Sequence, residues 1–235
     1  MYTETAELYD LFYEWKDYAG EAARLRDIVS ARSRHSRTLL DVACGTGLHL
    51  EHLAAWYDVA GVDLDYGLLA VARRRLPRVP FERADMRDFD LGRTFDVVTC
   101  LFGSIGYVQT PEAMRSAIAA VARHVGPGGV LIVEPWLTPA NFDPAHPARG
   151  LAVERPGVVG VRLNDSRVDG RLSIMDFHYL IGRPGVPIEH LVETHTLGLF
   201  TDDEVRDAFD AASLAPEHDS EGLTGRGLWV GVRPV

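Results

Sequence analysis

Apolar and polar positions over the first 135 residues follow two interleaved rhythms. Short unbroken apolar runs recur, and each is followed by a longer stretch with helical spacing. Residues 21–34 place Ala22, Leu25, Ile28 and Val29 on one helical face. Residues 38–43 read as a buried strand ending in a glycine turn, and 48–56 as the next helix. The alternation continues with a strand over 58–63, a helix over 66–76 and a short strand over 80–84. A fourth strand covers 95–101. Thr110 then caps a helix with Pro111 at its first position, whose apolar stripe is Met114, Ala117, Ile118, Val121, Ala122 and Val125. Gly126 and Pro127 stop it, and 129–134 is a fifth strand. Alternating strands and helices of this length predict a parallel sheet covered on both faces.

Near residue 135 the rhythm changes. Pro135, Pro139, Pro144, Pro147 and Pro156 punctuate an irregular stretch. Residues 158–168, 172–181 and 188–197 then alternate with period two, and Asp169-Gly170 suits a hairpin turn. Thr201 and Glu204 have capping-box spacing ahead of a helix ending near Ala212. Residues 228–232 read as a last strand. The predicted fold is α/β, a Rossmann-like sheet with an antiparallel β-subdomain inserted after strand five. Residues 1–135 and 198–235 form the sheet domain, and 136–197 the insertion.

Composition narrows the function. Hydrophobic residues make up 46% of the 235 and charged residues 25%, as in a globular protein with a sizeable core. The net charge is 24 − 34 = −10, so nothing in the composition supplies the basic face that nucleic acid requires. No apolar run approaches the ~18 residues that would span a bilayer. The acidic start lacks the plan of a signal peptide, and two cysteines make no disulfide framework. A cytoplasmic enzyme with no membrane or nucleic-acid partner is expected.

The chemistry gathers at the first strand's end. Asp41-Val42-Ala43-Cys44-Gly45-Thr46-Gly47 joins strand to helix, where glycines permit close approach of a ligand and helix N–H groups are free. Position 50 is Leu, so the third glycine of the dinucleotide fingerprint is missing. Asp63 ends the second strand, 18 residues after Gly45, where a carboxylate accepts from both ribose hydroxyls of a nucleoside. Asp85 ends the third strand, within reach of an adenine amino group, followed by Met86. Cys44 has no evident partner base and reads as a small packing residue.

This set resembles the class I methyltransferases that use S-adenosylmethionine. The resemblance implies that Gly45 and Gly47 lie against the methionine part and ribose, and that Asp63 holds the ribose. Asp85 and Met86 then frame the adenine. Asp41, Ala43, Leu64 and Leu101 fall in the same cofactor segments. Residues 1–35 become a lid whose Tyr9 and Tyr18 reach the cofactor carboxylate, its aromatic rings suiting a sulfonium cation.

The similarity extends further. Tyr9-Asp10-Leu11, Asp85-Met86-Arg87-Asp88-Phe89, Ser104-Ile105-Gly106-Tyr107, Val133-Glu134-Pro135-Trp136 and Gly225-Arg226-Gly227-Leu228 occur in order along the chain. Together they resemble the N,N-dimethyltransferases of nucleotide-linked amino-deoxysugars, of the desosamine and mycaminose type. The resemblance implies a dTDP-linked sugar with a free amine as substrate, and an insertion that forms part of the substrate pocket or a homodimer contact. The sequence departs from that pattern with Gly103 for Ser, Leu137 for Trp, Trp229 for Phe, and Tyr107 where some members have His. The 3-amino and 4-amino sugars both stay open.

Methyl transfer from a sulfonium to an amine asks mainly for alignment, which removes ~7–11 kcal/mol of barrier. Tyr2, Tyr107, His178 and His195 are the candidates to meet the amine. Asp176 shares a strand face with His178, and Glu193 with His195. Arg226, between two glycines, is the first candidate for the diphosphate, with Arg167 beside Ser166 as a second. Trp136 stacks on the base or walls the sugar. No metal-ligand spacing is present, and amine methylation needs no Lewis acid. A methyltransferase for another small acceptor, O- or C-directed, is the alternative. An NAD(P)-dependent oxidoreductase and a silent cofactor-binding module are the others.

Overall fold

The computed structural model describes residues 6–145 and 150–235. Three short helical segments open the chain. They are a 3-10 turn at Ala6–Leu8, α1 at Tyr9–Tyr13 and α2 at Tyr18–Arg32. Helix α2 starts earlier than its apolar stripe predicts, because the Asp17 side chain accepts from the Gly20 amide at 2.9 Å and caps it. The alternating part follows as β1 (Thr38–Val42), α3 (Leu48–Leu53), β2 (Asp58–Asp63), α4 (Tyr66–Arg75), β3 (Phe81–Arg83) and β4 (Phe95–Cys100). Then come a 3-10 turn at Ser104–Val108, α5 (Pro111–Arg123) and β5 (Val125–Val133). Four strands make the insertion: β6 (Leu151–Arg155), β7 (Val158–Asp169), β8 (Leu172–Arg183) and β9 (Val186–Gly198). The chain closes with α6 (Asp202–Ala211), β10 (Ala215–Asp219) and β11 (Leu228–Val232).

The main sheet has the order β10-β11-β5-β4-β1-β2-β3, and β11 runs antiparallel to both of its neighbours. Because successive residues of a strand point to opposite faces, each central strand feeds two cores. Leu40, Val42, Val98 and Leu131 pack under α5 and α6 with Met114, Ile118 and Phe209. Leu39, Val97, Val130 and Ile132 pack under α2, α3 and α4 with Leu25, Leu50 and Leu69. The predicted capping box forms, with the Thr201 hydroxyl accepting from the Glu204 amide and the Glu204 carboxylate accepting from the Thr201 amide at 2.9 Å.

Two strands escape the sequence pattern. β6 and β10 are five-residue edge strands, and β10 carries Pro216, Glu217 and His218. Charge and proline protect an edge from further pairing, and they erase the apolar alternation that would announce a strand. β5 also begins earlier than expected, running through Gly126 and Pro127 at an irregular register against β4.

The second sheet has the order β6-β7-β8-β9, all antiparallel. Its inner face supplies Met175, Phe177, Tyr179 and Leu197 to a third core, completed by Leu8 and Phe12 of the N-terminal segment. The segment thereby joins the two sheets. Asp10 ties it to the glycine turn through the Thr46 hydroxyl at 2.6 Å, and to α4 through an ion pair with Arg75. Among the described residues no helix is long and apolar enough to cross a membrane.

Candidate functional site

Strands β1, β2 and β4 end on one side of the sheet where the chain order reverses between β1 and β4, the place at which open α/β sheets bind ligands. The turn after β1 is held by its neighbours. The Cys44 amide donates to the Val62 carbonyl at 3.0 Å, and the Gly45 amide donates to Asp63 Oδ2 at 2.8 Å. Ala43 and Gly45 both have positive φ, and a Cβ on Gly45 would meet no atom within 4 Å. The space above Gly45 is therefore open to a ligand. Gly47 has another duty. It caps α3 with φ 78° and faces Ala72, Leu76 and Phe81, behind the turn rather than on the cavity wall.

A cavity of about 720 Å³ runs from this turn to the inner face of the second sheet. At its cofactor end lie Ala43, Gly45, Asp63, Leu64, Asp85 and Met86. Burial pushes the Asp63 carboxyl up to about 6, against the backbone N–H groups of Asp65 and Gly45 that favour its ionised form. The Arg87 guanidinium donates to Asp85 at 2.9 Å and holds that carboxyl below its ordinary value. A small chamber of about 40 Å³ adjoins the turn, lined by Tyr9, Tyr18, Asp41, His49 and Leu101 among others. The Tyr18 hydroxyl is buried there with no hydrogen-bond partner among the described residues. Behind it Lys16 pairs with Glu21, whose other oxygen meets His49 Nε2 at 2.8 Å. Asp41 accepts from the Thr99 hydroxyl at 2.7 Å, and burial raises its carboxyl to about 6. An open cradle over Gly45, a buried carboxylate beside it and an unpartnered buried hydroxyl fit a cofactor that ends in a ribose at one side and a polar amino-acid group at the other.

The other end of the cavity is built by the insertion and two loops. Tyr107 lies in the 3-10 turn after β4, and its hydroxyl meets His195 Nδ1 at 2.7 Å. The Trp136 indole donates to the Ser173 hydroxyl at 2.9 Å, which fixes its ring in the wall. The Arg226 guanidinium stacks on Trp136 and Phe102, its carbon 5.0 and 4.9 Å from the ring centroids. Its Nη1 is buried without a hydrogen-bond partner among the described residues, an arrangement suited to an anion. Gly103 makes this packing possible, since a Cβ there would come within 2.8 Å of the Trp136 ring.

Two sequence-predicted residues lie away from the cavity. His178 belongs to the outer face of β8, where its ring stacks on His190. Arg167 also faces outward and pairs with Asp176. The shared strand face of Asp176 and His178 is real, but it is the face turned away from the cavity. Ser166 points inward on β7, accepts from the Asn164 side chain at 3.1 Å, and stops short of the cavity wall. Tyr2 lies outside the described residues.

Sequence reasoning missed Arg162, Asn164 and Phe177 on the inner face, Tyr13 on α1, and Glu134 after β5. Arg162 packs its guanidinium 4.9 Å from the centroids of both Tyr13 and Phe177. Glu134, wholly buried, accepts from the Phe102 amide at 2.6 Å and from the Thr224 hydroxyl.

A methyltransferase-domain family model matches residues 39–129. The chain is 42% identical to the dTDP-3-amino-3,4,6-trideoxy-alpha-D-glucopyranose N,N-dimethyltransferase of Streptomyces venezuelae, over 97% of both chains. It is 39% identical to the dTDP-4-amino-2,3,4,6-tetradeoxy-D-glucose N,N-dimethyltransferase of Saccharopolyspora spinosa, over 97% of this chain and 92% of that one. Among solved structures it resembles SAM-bound CalS10, an amino pentose methyltransferase from Micromonospora echinaspora involved in calicheamicin biosynthesis. The TM-score is 0.85 and the identity 40%, over 93% of this chain and 92% of that one. The missing third glycine had already weakened the oxidoreductase alternative, and these matches remove it. With similarity spanning nearly the whole chain, insertion included, this protein belongs to the S-adenosylmethionine-dependent N,N-dimethyltransferases of dTDP-linked amino-deoxysugars, a family of class I methyltransferases.

Proposed function

We propose that this chain methylates the amino group of a dTDP-linked amino-deoxysugar, twice, in the making of an antibiotic sugar. One observation carries the reading. A single cavity joins the Gly45–Asp63 cradle to a wall bearing Tyr107, Trp136 and Arg226. When bound, S-adenosylmethionine supplies a methyl carbon on a positively charged sulfur, which leaves with the bonding electron pair as the N–C bond forms.

The chain's own residues bind and align. Asp63 accepts from the ribose hydroxyls, and Gly45 lets the backbone come close. Leu64 and Met86 border the adenine, with Asp85 at the rim. Tyr9 and Tyr18 of the N-terminal segment close the amino-acid end and exclude water. Arg226 takes a phosphate oxygen of the acceptor, and Trp136 walls its sugar or base. Tyr107 meets the acceptor nitrogen on the methyl side of the cavity. Holding nitrogen and methyl carbon in contact is worth ~7–11 kcal/mol of the barrier.

The test is incubation of the purified protein with S-adenosylmethionine and, in parallel, dTDP-3-amino and dTDP-4-amino sugars, followed by mass spectrometry. A gain of two methyl groups on one of them is expected. Cofactor binding with no methyl gain on any amino sugar, and gain on a hydroxyl or carbon acceptor instead, would overturn the reading.

A further inference from the structure

Two methylations at one nitrogen set a proton problem. After the first N–C bond forms, the nitrogen is a secondary ammonium, its lone pair spent in that bond and a proton still to be lost. It cannot attack again until that proton leaves. The N-terminal segment and the second sheet cover this part of the cavity, so a local acceptor has an evident task.

On the reading above, we infer that Tyr107, His195 and Glu193 form a relay that takes this proton between the two transfers. Tyr107 lines the cavity, and its hydroxyl is 2.7 Å from His195 Nδ1. His195 Nε2 is 3.7 Å from a carboxylate oxygen of Glu193. The two strand residues are two apart on β9, so both point to the inner face. The His195 side chain is 1% exposed and that of Glu193 8%, so the pair is shielded from bulk water, with His195 beside Tyr107 on the cavity wall.

The bookkeeping closes without any co-reactant. The ammonium N–H donates to the Tyr107 oxygen as the Tyr107 O–H proton passes to His195 Nδ1. The tyrosine ends neutral, the nitrogen regains its lone pair, and the imidazole becomes an imidazolium facing Glu193. A buried carboxylate beside the ring stabilises that cation. The opposing charge is Arg162 on β7, whose guanidinium stacks on Phe177 at 4.9 Å, while the Phe177 ring lies 4.8 Å from His195. Tyr179 on β8 and Tyr9 and Tyr13 on α1 are further titratable groups packed here, and burial drives the Tyr179 and Tyr9 phenols up, so both stay neutral. Glu193 is the carboxylate that faces the imidazole. In these terms Tyr107 is the catalytic residue, and His195 and Glu193 act through it.

Tyr107→Phe, His195→Gln and Glu193→Gln test the relay, with the amino sugar and its synthetic monomethyl form as substrates. Cofactor affinity, read by calorimetry, reports that each variant is folded. We expect the first methylation to fall a few-fold and the second at least ten-fold, so that monomethyl product accumulates at neutral pH. Raising the pH should restore the second step, because bulk base then removes the proton. Tyr107→Phe deletes one oxygen and keeps the test open if His195→Gln fails to fold. A wild-type mono-to-dimethyl ratio and pH profile in variants that bind cofactor would overturn the relay alone. A wild-type protein that methylates no amino sugar would overturn the functional reading and the relay with it.

Discussion

The buried carboxylate of Glu134 accepts a hydrogen bond from the Thr224 hydroxyl, joining the end of β5 to the loop that carries Arg226. Its second oxygen accepts from the Phe102 amide at 2.6 Å. Phe102 has φ 57°, so the carboxylate also holds a non-glycine residue in a conformation that it resists, while Gly103, at φ 73°, takes it freely. One side chain thus ties the turn that carries Phe102, against whose ring the Arg226 guanidinium packs, to the loop that carries Arg226 itself. It also gives a reason for the Glu134-Pro135-Trp136 and Gly225-Arg226-Gly227 segments to occur together.

Glu134→Gln keeps the shape but offers a single acceptor oxygen for two donors. One buried donor then loses its partner, at a cost of about 1.5–3 kcal/mol. We expect a fall of several degrees in Tm and a KM for the nucleotide sugar raised ten-fold or more, with cofactor affinity little changed. An unaltered KM would show that the Arg226 loop does not depend on this carboxylate.

Asp63 accepts from the Gly45 and Asp65 amides, both at 2.8 Å, and so shapes the turn as well as the ribose site. Asp63→Ala removes both backbone contacts and the ribose acceptor. Each lost charged hydrogen bond is worth about 1.5–3 kcal/mol, so cofactor affinity should fall by a factor of a hundred or more. Isothermal calorimetry reads this directly, and affinity within a few-fold of wild type would remove Asp63 from the ribose role.

Asp41 is a burden on the native state. Its carboxyl rises from an ordinary 3.8 to about 6 in the fold, because burial penalises the charge. The native state therefore holds this proton more tightly than the unfolded chain. The stability it contributes is full below 3.8 and is lost as the pH rises through about 6. Asp41→Asn removes the charge and can still accept from Thr99 at this site. Thermal unfolding should show the variant more stable than wild type at pH 8, by about 1–3 kcal/mol, with the gain gone below pH 4. A variant less stable at pH 8 would contradict this account.

The parallel sheet, its helices and the cofactor turn were legible because their signals are local. An apolar run, a cap or a positive-φ glycine is dictated by residues within a few positions. The acceptor side of the cavity was less legible, because β7 inverts the usual alternation. Arg162 and Asn164 face the cavity while Val159 and Leu163 are 47% exposed on the outer face. A polar residue on a strand reads as solvent-facing, yet here the inner face borders a polar cavity. The same ambiguity left His178 and His195 equivalent on paper, and only the packing of Tyr107 against β9 separates them. Glu134 was invisible as a site residue because its partners, Phe102 and Thr224, are 32 and 90 positions away.

The two arginines singled out for the diphosphate now occupy opposite environments, which makes them a matched pair. Arg226 lines the cavity, its guanidinium held over Trp136 and Phe102 with Nη1 buried and unpartnered among the described residues. Arg167 is a half-exposed surface side chain already paired with Asp176 on the outer face of the second sheet. A desolvated guanidinium gains far more from a phosphate than an exposed one that water and a carboxylate already satisfy. Arg226→Ala should therefore raise the KM for the nucleotide sugar by ten-fold or more while leaving the KM for S-adenosylmethionine within two- or three-fold. Arg167→Ala should leave both unchanged. Varying the salt sharpens the contrast, since an exposed contact is screened at high ionic strength and a buried one far less. Steady-state kinetics at low and high salt read all four constants. Equal effects of the two substitutions would mean that the acceptor's phosphates sit outside the cavity described here, and the assignment of Arg226 would fall.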